Sequence, residues 1–329
     1  MSSTTDRKRV DVHAHFLPRG LQPSAESPLP RLELDTEDAG RIMLGDSTFR
    51  RVRRPLWDVE ARVARLDEAG VGVQVVSPVP VTLTVQDAGY LHEQNLLLAD
   101  EVARSDGRLL AFGAVPLWDT AAAVAEIEVL AATPGIVGIE TGTTTAGGLE
   151  LDAPELEPVL AAAQEHDLPL FVHPTGQDAA IRRRGAPYTF GIGMHTDTAL
   201  VGAALVFGGV LEKLPRLRVA LSHGCGSLPW TFPRMTYLLD AAATAQADAL
   251  LRRLWCDTLV FEPTHLAVLA RSFGAEHLLL GTDDPFYPSP LAELLGITEE
   301  AVAVGALSPQ EAAAVETTNA WEFLGIDQG

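Results

Sequence analysis

The sequence predicts an α/β fold of the (β/α)8, TIM-type barrel kind. Short β-branched runs alternate with Ala/Leu-rich stretches of helical period along almost the whole chain. The alternation occurs eight times. The 329 residues exceed a minimal domain, but α/β barrels run to about 250 residues or more as one unit. A doubly wound open sheet gives the same alternation; the two differ in whether the first strand pairs with the last.

The strand candidates, in order, are VDV (10–12), VQVVS (73–77), LLAFGAV (109–115), IVGIE (136–140), LPLFVH (168–173), LRVALSH (217–223), LWCDT (254–258) and HLLLGTD (277–283). Amphipathic text at 57–70, 91–105, 120–132 and 154–166 supplies helices between them. Asp58, Asp119 and Asp152 are candidate caps, because a carboxylate accepts from the free N–H groups of a first turn. Gly70 is a candidate stop. Residues 18–55 are too many for a βα loop, and their Pro, Gly and Arg content suggests an insertion over the barrel mouth. The C-terminal stretch 285–329 carries Pro285, Pro288 and Pro290 and then helical text expected to wrap the outside. Residues 1–329 therefore read as a single domain.

Hydrophobic residues make up 47% and charged residues 21%, enough apolar content for a large core. The formal charge of −20 disfavours nucleic acid and anionic membranes, which need a basic footprint. An anionic small molecule stays admissible, because a local pair among the 22 arginines can dominate one pocket. No continuous apolar run reaches the ~18 residues of a membrane span, and no secretory h-region follows the N-terminal basic residues. With only Cys225 and Cys256, a disulfide framework is not expected, which suits a cytoplasmic setting.

In a barrel, the C-terminal ends of the strands open into one mouth. The first candidate strand ends in His13-Ala14-His15, the fifth in His173, the sixth in His223 and the eighth in Asp283. Residues i and i+2 of a strand face one side, so His13 and His15 point together toward the axis. A lone strand-end histidine is usually a hydrogen-bonded structural residue, and an HxH pair alone is a weak motif. Four strand ends that each deliver a ligand type are not explained that way. Neutral imidazoles with one carboxylate suit a borderline divalent ion that keeps a position for water. His92 and His166 sit in helical text and read as solvated, His265 as helical, and His277 as lying at the opposite end of the barrel. Glu140 reads as a pocket-wall carboxylate or a bridge to a second ion.

VDVHAHFLP (10–18), FRRVRRPLWDVEARVARLDEAGVGVQVVSPVPV (49–81), FVHP (171–174), GGVLEKLPRLRVALSHGCGSLPW (208–230) and LLLGTDDPF (278–286) resemble the amidohydrolase superfamily. The likeness is closest to its branch of metal-dependent decarboxylases of aminocarboxymuconate semialdehyde and of aromatic acids, and it runs over nearly the whole chain. It implies one divalent metal ion, zinc with manganese as the alternative, held by His13, His15, His173 and Asp283. It implies His223 as acid/base beside the metal, with Asp283 also in the catalytic group. It implies Arg50 as a contact to the carboxylate of a small-molecule acid. Arg234 would reach into the neighbouring subunit's pocket, which requires a homodimer. The expected activity is non-oxidative decarboxylation of an unsaturated or aromatic acid; a metal-dependent hydrolase or hydratase with the same ligands is the alternative. The carboxylated lysine of two-metal relatives cannot come from Lys8 or Lys213.

The chain departs from the family pattern at four places. Cys225 stands where Gly is usual, His195 in GMHTDTA (193–199) replaces a proline, Asp284 follows Asp283, and PTGQ follows His173. These positions are expected to line the pocket, with His195 as a substrate contact. His195 and Asp284 would then favour a more hydroxylated ligand or a different reaction. Cys225 as a nucleophile is not needed by a metal route.

Overall fold

The computed structural model describes residues 9–24, 27–175, 185 and 187–327. Eight parallel strands follow one another around the sheet: β1 (Arg9–Phe16), β5 (Val71–Pro78), β6 (Leu109–Ala114), β7 (Ile136–Gly142), β8 (Leu170–His173), β9 (Val219–Leu221), β10 (Leu254–Asp257) and β11 (Leu278–Leu279). The remaining strands, β2 (Pro30–Leu34), β3 (Ala39–Leu44) and β4 (Ser47–Arg53), form a separate antiparallel sheet. The chain beyond β11 bonds back to β1, with Val12 N–H donating to Leu280 O at 2.9 Å and Asp283 N–H to His13 O at 2.7 Å. First and last strands therefore meet, and the fold is a barrel rather than an open sheet.

The strands are buried on both faces, as a sheet wrapped by helices requires. Inside the barrel, Val10, Val12, Val75, Phe112, Phe171, Ala220, Trp255 and Leu279 form one cluster. Phe323 and Leu324 of the last helix (Asn319–Leu324) join that cluster, with Phe323 packed 5.5 Å from the Trp255 ring. The C-terminal segment thus reaches the barrel interior in addition to wrapping the outside. A larger cluster between sheet and helices includes Leu66, Leu98, Ile127, Leu160, Leu205 and Leu269.

Two of the three expected caps are present. Asp58 accepts from Ala61 N–H at 2.9 Å and Asp119 from Ala122 N–H at 3.0 Å. Gly70 ends the first helix in the left-handed conformation, φ 70°. Asp152 caps nothing, because a 3-10 turn (Pro154–Leu156) precedes the helix Glu157–Glu165 and supplies its entry.

The small sheet β2–β4 rests on the barrel through Leu32, Ile42 and Val52, which pack with Leu17, Leu56, Trp57 and Val79. Arg62, fully buried, donates to His15 O (2.6 Å), Gln74 Oε1 (3.0 Å) and Asp284 Oδ2 (2.8 Å). Arg65 takes the other Asp284 oxygen at 2.7 Å. Asp284 is therefore a brace between β1 and the end of β11. It does not line the pocket as expected, and its carboxylate is spent on two guanidinium groups. One helical stretch, Thr189–Phe207, is long and apolar enough to cross a membrane by length and composition. Val201, Leu205 and Val206 in its second part are buried against the barrel.

Candidate active site and metal centre

The register of β1 against β5 slips between Asp11 and Ala14, where three steps of β1 match two of β5. Such a bulge re-aims side chains. Val10 and Val12 join the interior cluster below, and His13 and His15 present their rings to the mouth above. β8 delivers His173 from its last residue. His223 and Asp283 lie beyond the ends of β9 and β11, in left-handed turns with φ 55° and 56°. They are post-strand residues rather than strand ends, yet they reach the same place.

One ligand atom from each of His13, His15, His173 and Asp283 lies within 4.8 Å of the others, and all four residues are buried. Asp283 Oδ1 is 3.0 Å from His15 Nε2 and 3.7 Å from His13 Nε2. Bonds of roughly 2.0–2.2 Å to a shared ion place neighbouring ligand atoms about 3–3.5 Å apart; the Asp283–His15 spacing matches this and the Asp283–His13 spacing is slightly longer.

The other ring nitrogens explain why Nε2 faces inward. His13 Nδ1 lies 2.6 Å from Asp257 Oδ2, His15 Nδ1 2.9 Å from Pro78 O, and His173 Nδ1 2.8 Å from Pro174 O. Each partner accepts, so each Nδ1 carries the proton and each Nε2 offers a lone pair. The three Nε2 atoms and Asp283 Oδ1 are buried with no hydrogen-bond partner among the described residues. Four orphaned acceptors converging on one point would be costly in a dry core and are satisfied by a cation.

The three imidazoles differ electrostatically: burial lowers the His15 pKa, while at His13 the effect of burial is outweighed by the Asp257 bond and the Asp283 charge, which raise it. Burial, then the neighbouring His15, His223 and His13 rings, drive the His173 pKa well below its ordinary value, so it stays a neutral ligand. Burial would raise Asp283, but the facing His15, His223 and His13 rings hold the carboxyl well below the usual range. Burial raises Glu140 well above the carboxylate range, partly opposed by the bond from Ser77 Oγ at 3.0 Å. Glu140 sits on the Nδ1 side of His15, 3.7 Å away, opposite the Nε2 atoms that converge. It neither joins the ligand cluster nor lines the cavity, which removes both roles expected of it.

His223 Nε2 is buried without a partner, 3.8 Å from the second Asp283 oxygen. Asp257 fixes the turn that carries it, accepting from His223 N–H at 3.0 Å and Gly224 N–H at 2.9 Å. The same carboxylate holds His13, so one residue sets a ligand and the candidate acid/base. Asp257 is not among the sequence-predicted site residues, although it is the last residue of β10 and so shares the strand-end position of His173. Gly226 completes the turn at φ 59°, and a Cβ there would come within 2.2 Å of His195 O. Cys225 is fully buried, and burial raises its pKa well above that of a free thiol, which does not suit a nucleophile.

Above the ligands is a cavity of about 240 Å3, whose walls include Phe49, Arg50, His173, Asp283, Phe286 and Tyr287. Arg50 comes from β4, stands over the Phe286 ring at 4.2 Å and donates to Phe286 O at 3.0 Å. His195 is elsewhere: it lines a second cavity with His223, His265 and Trp230, its ring 6.0 Å from that of His223. Arg234 is exposed on the helix Leu228–Thr236 and lines neither cavity. Of PTGQ, Gly176 and Gln177 lie outside the described residues.

The amidohydrolase family model (Amidohydro_2) matches residues 10–326, and the chain belongs to that family. Among its relatives, a 2-amino-3-carboxymuconate-6-semialdehyde decarboxylase of Dictyostelium discoideum is 28% identical over 97% of this chain and 92% of its own length. The fold is similar to that of the apo IDCase of Metarhizium anisopliae, with a TM-score of 0.81 and 22% identity over 98% of this chain and 99% of that one. It is also similar to a dihydroxybenzoic acid decarboxylase of Polaromonas sp. JS666 solved with manganese and 2-nitroresorcinol, with a TM-score of 0.74 and 21% identity over 98% of both chains. Family membership and the four converging ligand atoms together define a divalent metal site.

Proposed function

We propose that this chain is a metal-dependent carbon–carbon lyase that removes CO2, without oxidation, from an unsaturated or aromatic carboxylic acid. The carrying observation is the set of four bare ligand atoms with a fifth bare imidazole nitrogen, His223 Nε2, beside them. The decarboxylase names of the relatives favour this reaction over hydrolysis.

Loss of CO2 replaces a carbon–carboxylate bond with a carbon–hydrogen bond. The acid must be held, a proton must reach the carbon, and negative charge on a neighbouring oxygen must be neutralised. A divalent ion, when bound by His13, His15, His173 and Asp283, supplies that neutralisation as a Lewis acid. His223 is the group placed to deliver the proton through Nε2, and the Asp257 grip on its backbone keeps the ring aimed. A positioned proton donor contributes about 10²–10⁴-fold. Arg50 holds the acid, because a planar guanidinium pairs with both carboxylate oxygens. Phe49, Phe286 and Tyr287 wall the space between with aromatic surface.

Zinc is the proposed ion, since three imidazoles and one carboxylate suit it; manganese is the alternative. The proposed assembly is a homodimer. Trp230, Tyr237 and Leu238 are 80%, 83% and 90% exposed on and just after the Arg234 helix, an apolar surface that a second copy would cover. Arg234 would then reach the partner's pocket, and His195 would meet substrate from the second cavity. The two free cysteines suit a cytoplasmic location.

The test is CO2 release from a panel of aromatic and unsaturated acids by the metal-loaded protein and by His223→Ala. The expected result is release by the parent and a loss of at least about 100-fold in the variant, with metal content unchanged. Hydrolysis products without CO2 would transfer the site to the hydrolase reading. Full activity in His223→Ala would remove the proposed proton donor.

A further inference from the structure

Tyr287 is a second polar group of the cavity, contributed by the loop that follows Asp283. Its ring is clamped in edge-on contacts, 5.2 Å from Phe261 at 70° and 6.0 Å from Phe190 at 67°. Those contacts fix where the phenol points. The oxygen is buried and faces the Asp283 carboxylate, but it makes no hydrogen bond of ordinary geometry among the described residues. A phenylalanine would make the same ring contacts without desolvating a hydroxyl, so packing does not account for the oxygen. Tyr287 shares the cavity with Arg50, His173 and Asp283. An acid seated between Arg50 and the ligand cluster therefore brings oxygen atoms to the neighbourhood of the bare hydroxyl. At neutral pH a phenol is protonated and can donate. Arg50 uses two of a carboxylate's roughly four acceptor sites, which leaves others for a second donor.

We propose that Tyr287 is a specificity-determining residue whose O–H donates a hydrogen bond to an oxygen of a planar aromatic acid bound beside Arg50. This rests on the aromatic-acid reading of the cavity. It adds that the bound acid is recognised by two donors from different elements, Arg50 of β4 and Tyr287 beyond β11, around a slot walled by Phe49 and Phe286.

The experiment is calorimetric titration of salicylate into the metal-loaded parent, Tyr287→Phe and Arg50→Ala. Tyr287→Phe keeps the ring and removes one oxygen, so it should retain its metal and melt at or above the parent's temperature. It should bind salicylate about tenfold more weakly, as the loss of one hydrogen bond to a charged ligand implies. Affinity within twofold of the parent would overturn the role of Tyr287; if Arg50→Ala is weakened in the same series, the aromatic-acid reading stands without it. A melting temperature well below the parent's would show a structural partner for the hydroxyl and also overturn the proposal. No salicylate binding by the parent would defeat the aromatic-acid reading itself, and this inference with it.

Discussion

Asp257 illustrates what a single side chain sets in this site. Its carboxylate accepts from His13 Nδ1 and from the backbone of His223 and Gly224. Burial would raise its pKa, but the bond and charge of His13 keep it below the ordinary value, so it remains an anion. Asp257→Asn puts an amide where four donors, Leu259 N–H among them, need an acceptor. Such outer partners of metal ligands typically contribute 10–100-fold in affinity. The expected outcome is metal affinity lowered by about that factor, read by competition with a chelator, with the fold retained. An unchanged affinity would mean that His13 is oriented by packing alone. His13, His15, His173, His223 and Asp283 were legible as candidates because they fall at or near strand ends that share one mouth, and the family resemblance separated the four ligands from His223. Asp257 was less so, because its partner is 244 residues away in sequence and nothing local marks the pairing. Asp284 misled for the same reason: its neighbour Asp283 is a ligand, but Arg62 and Arg65, distant in sequence, decide where its own carboxylate goes.

At the scale of elements, the eight strands and their order followed from hydrophobic alternation, which is a local signal. The bulge in β1 and the left-handed turns at His223 and Asp283 did not, because they depend on pairing with other strands. The β2–β4 sheet was readable only as an excess of residues. What it does for the site is present Arg50, paired in register with buried Ile42. Ile42 anchors the sheet on the barrel, while its cross-strand neighbour Arg50 lies over Phe286 at the cavity wall. Arg50→Ala should therefore raise KM by about tenfold or more, the loss of a charged hydrogen-bond donor, with a smaller change in kcat and no loss of stability. Steady-state kinetics checks this, and an unchanged KM would mark Arg50 as a solvated charge.

At the scale of the whole molecule, the charge of −20 and the apolar surface around Trp230, Tyr237 and Leu238 pull in different directions. Net charge keeps copies apart in general, while a local apolar patch of aromatic side chains favours one specific contact. Sedimentation of the parent should give twice the chain mass, and Leu238→Glu should shift it toward the monomer with the metal retained; a monomeric parent would contradict the dimer. Oligomeric state was not legible from residue patterns, because exposure is decided by the packing of the helix Leu228–Thr236 and not by its composition.

Everything proposed for the chemistry depends on one ion held by four side chains drawn from three places around the barrel. Elemental analysis of the purified protein, per chain, tests it most directly. One divalent metal ion is predicted, lost when His13 and His15 are both replaced by alanine. A parent free of metal after growth and loading with zinc or manganese, or a double variant that keeps its full complement, would contradict it.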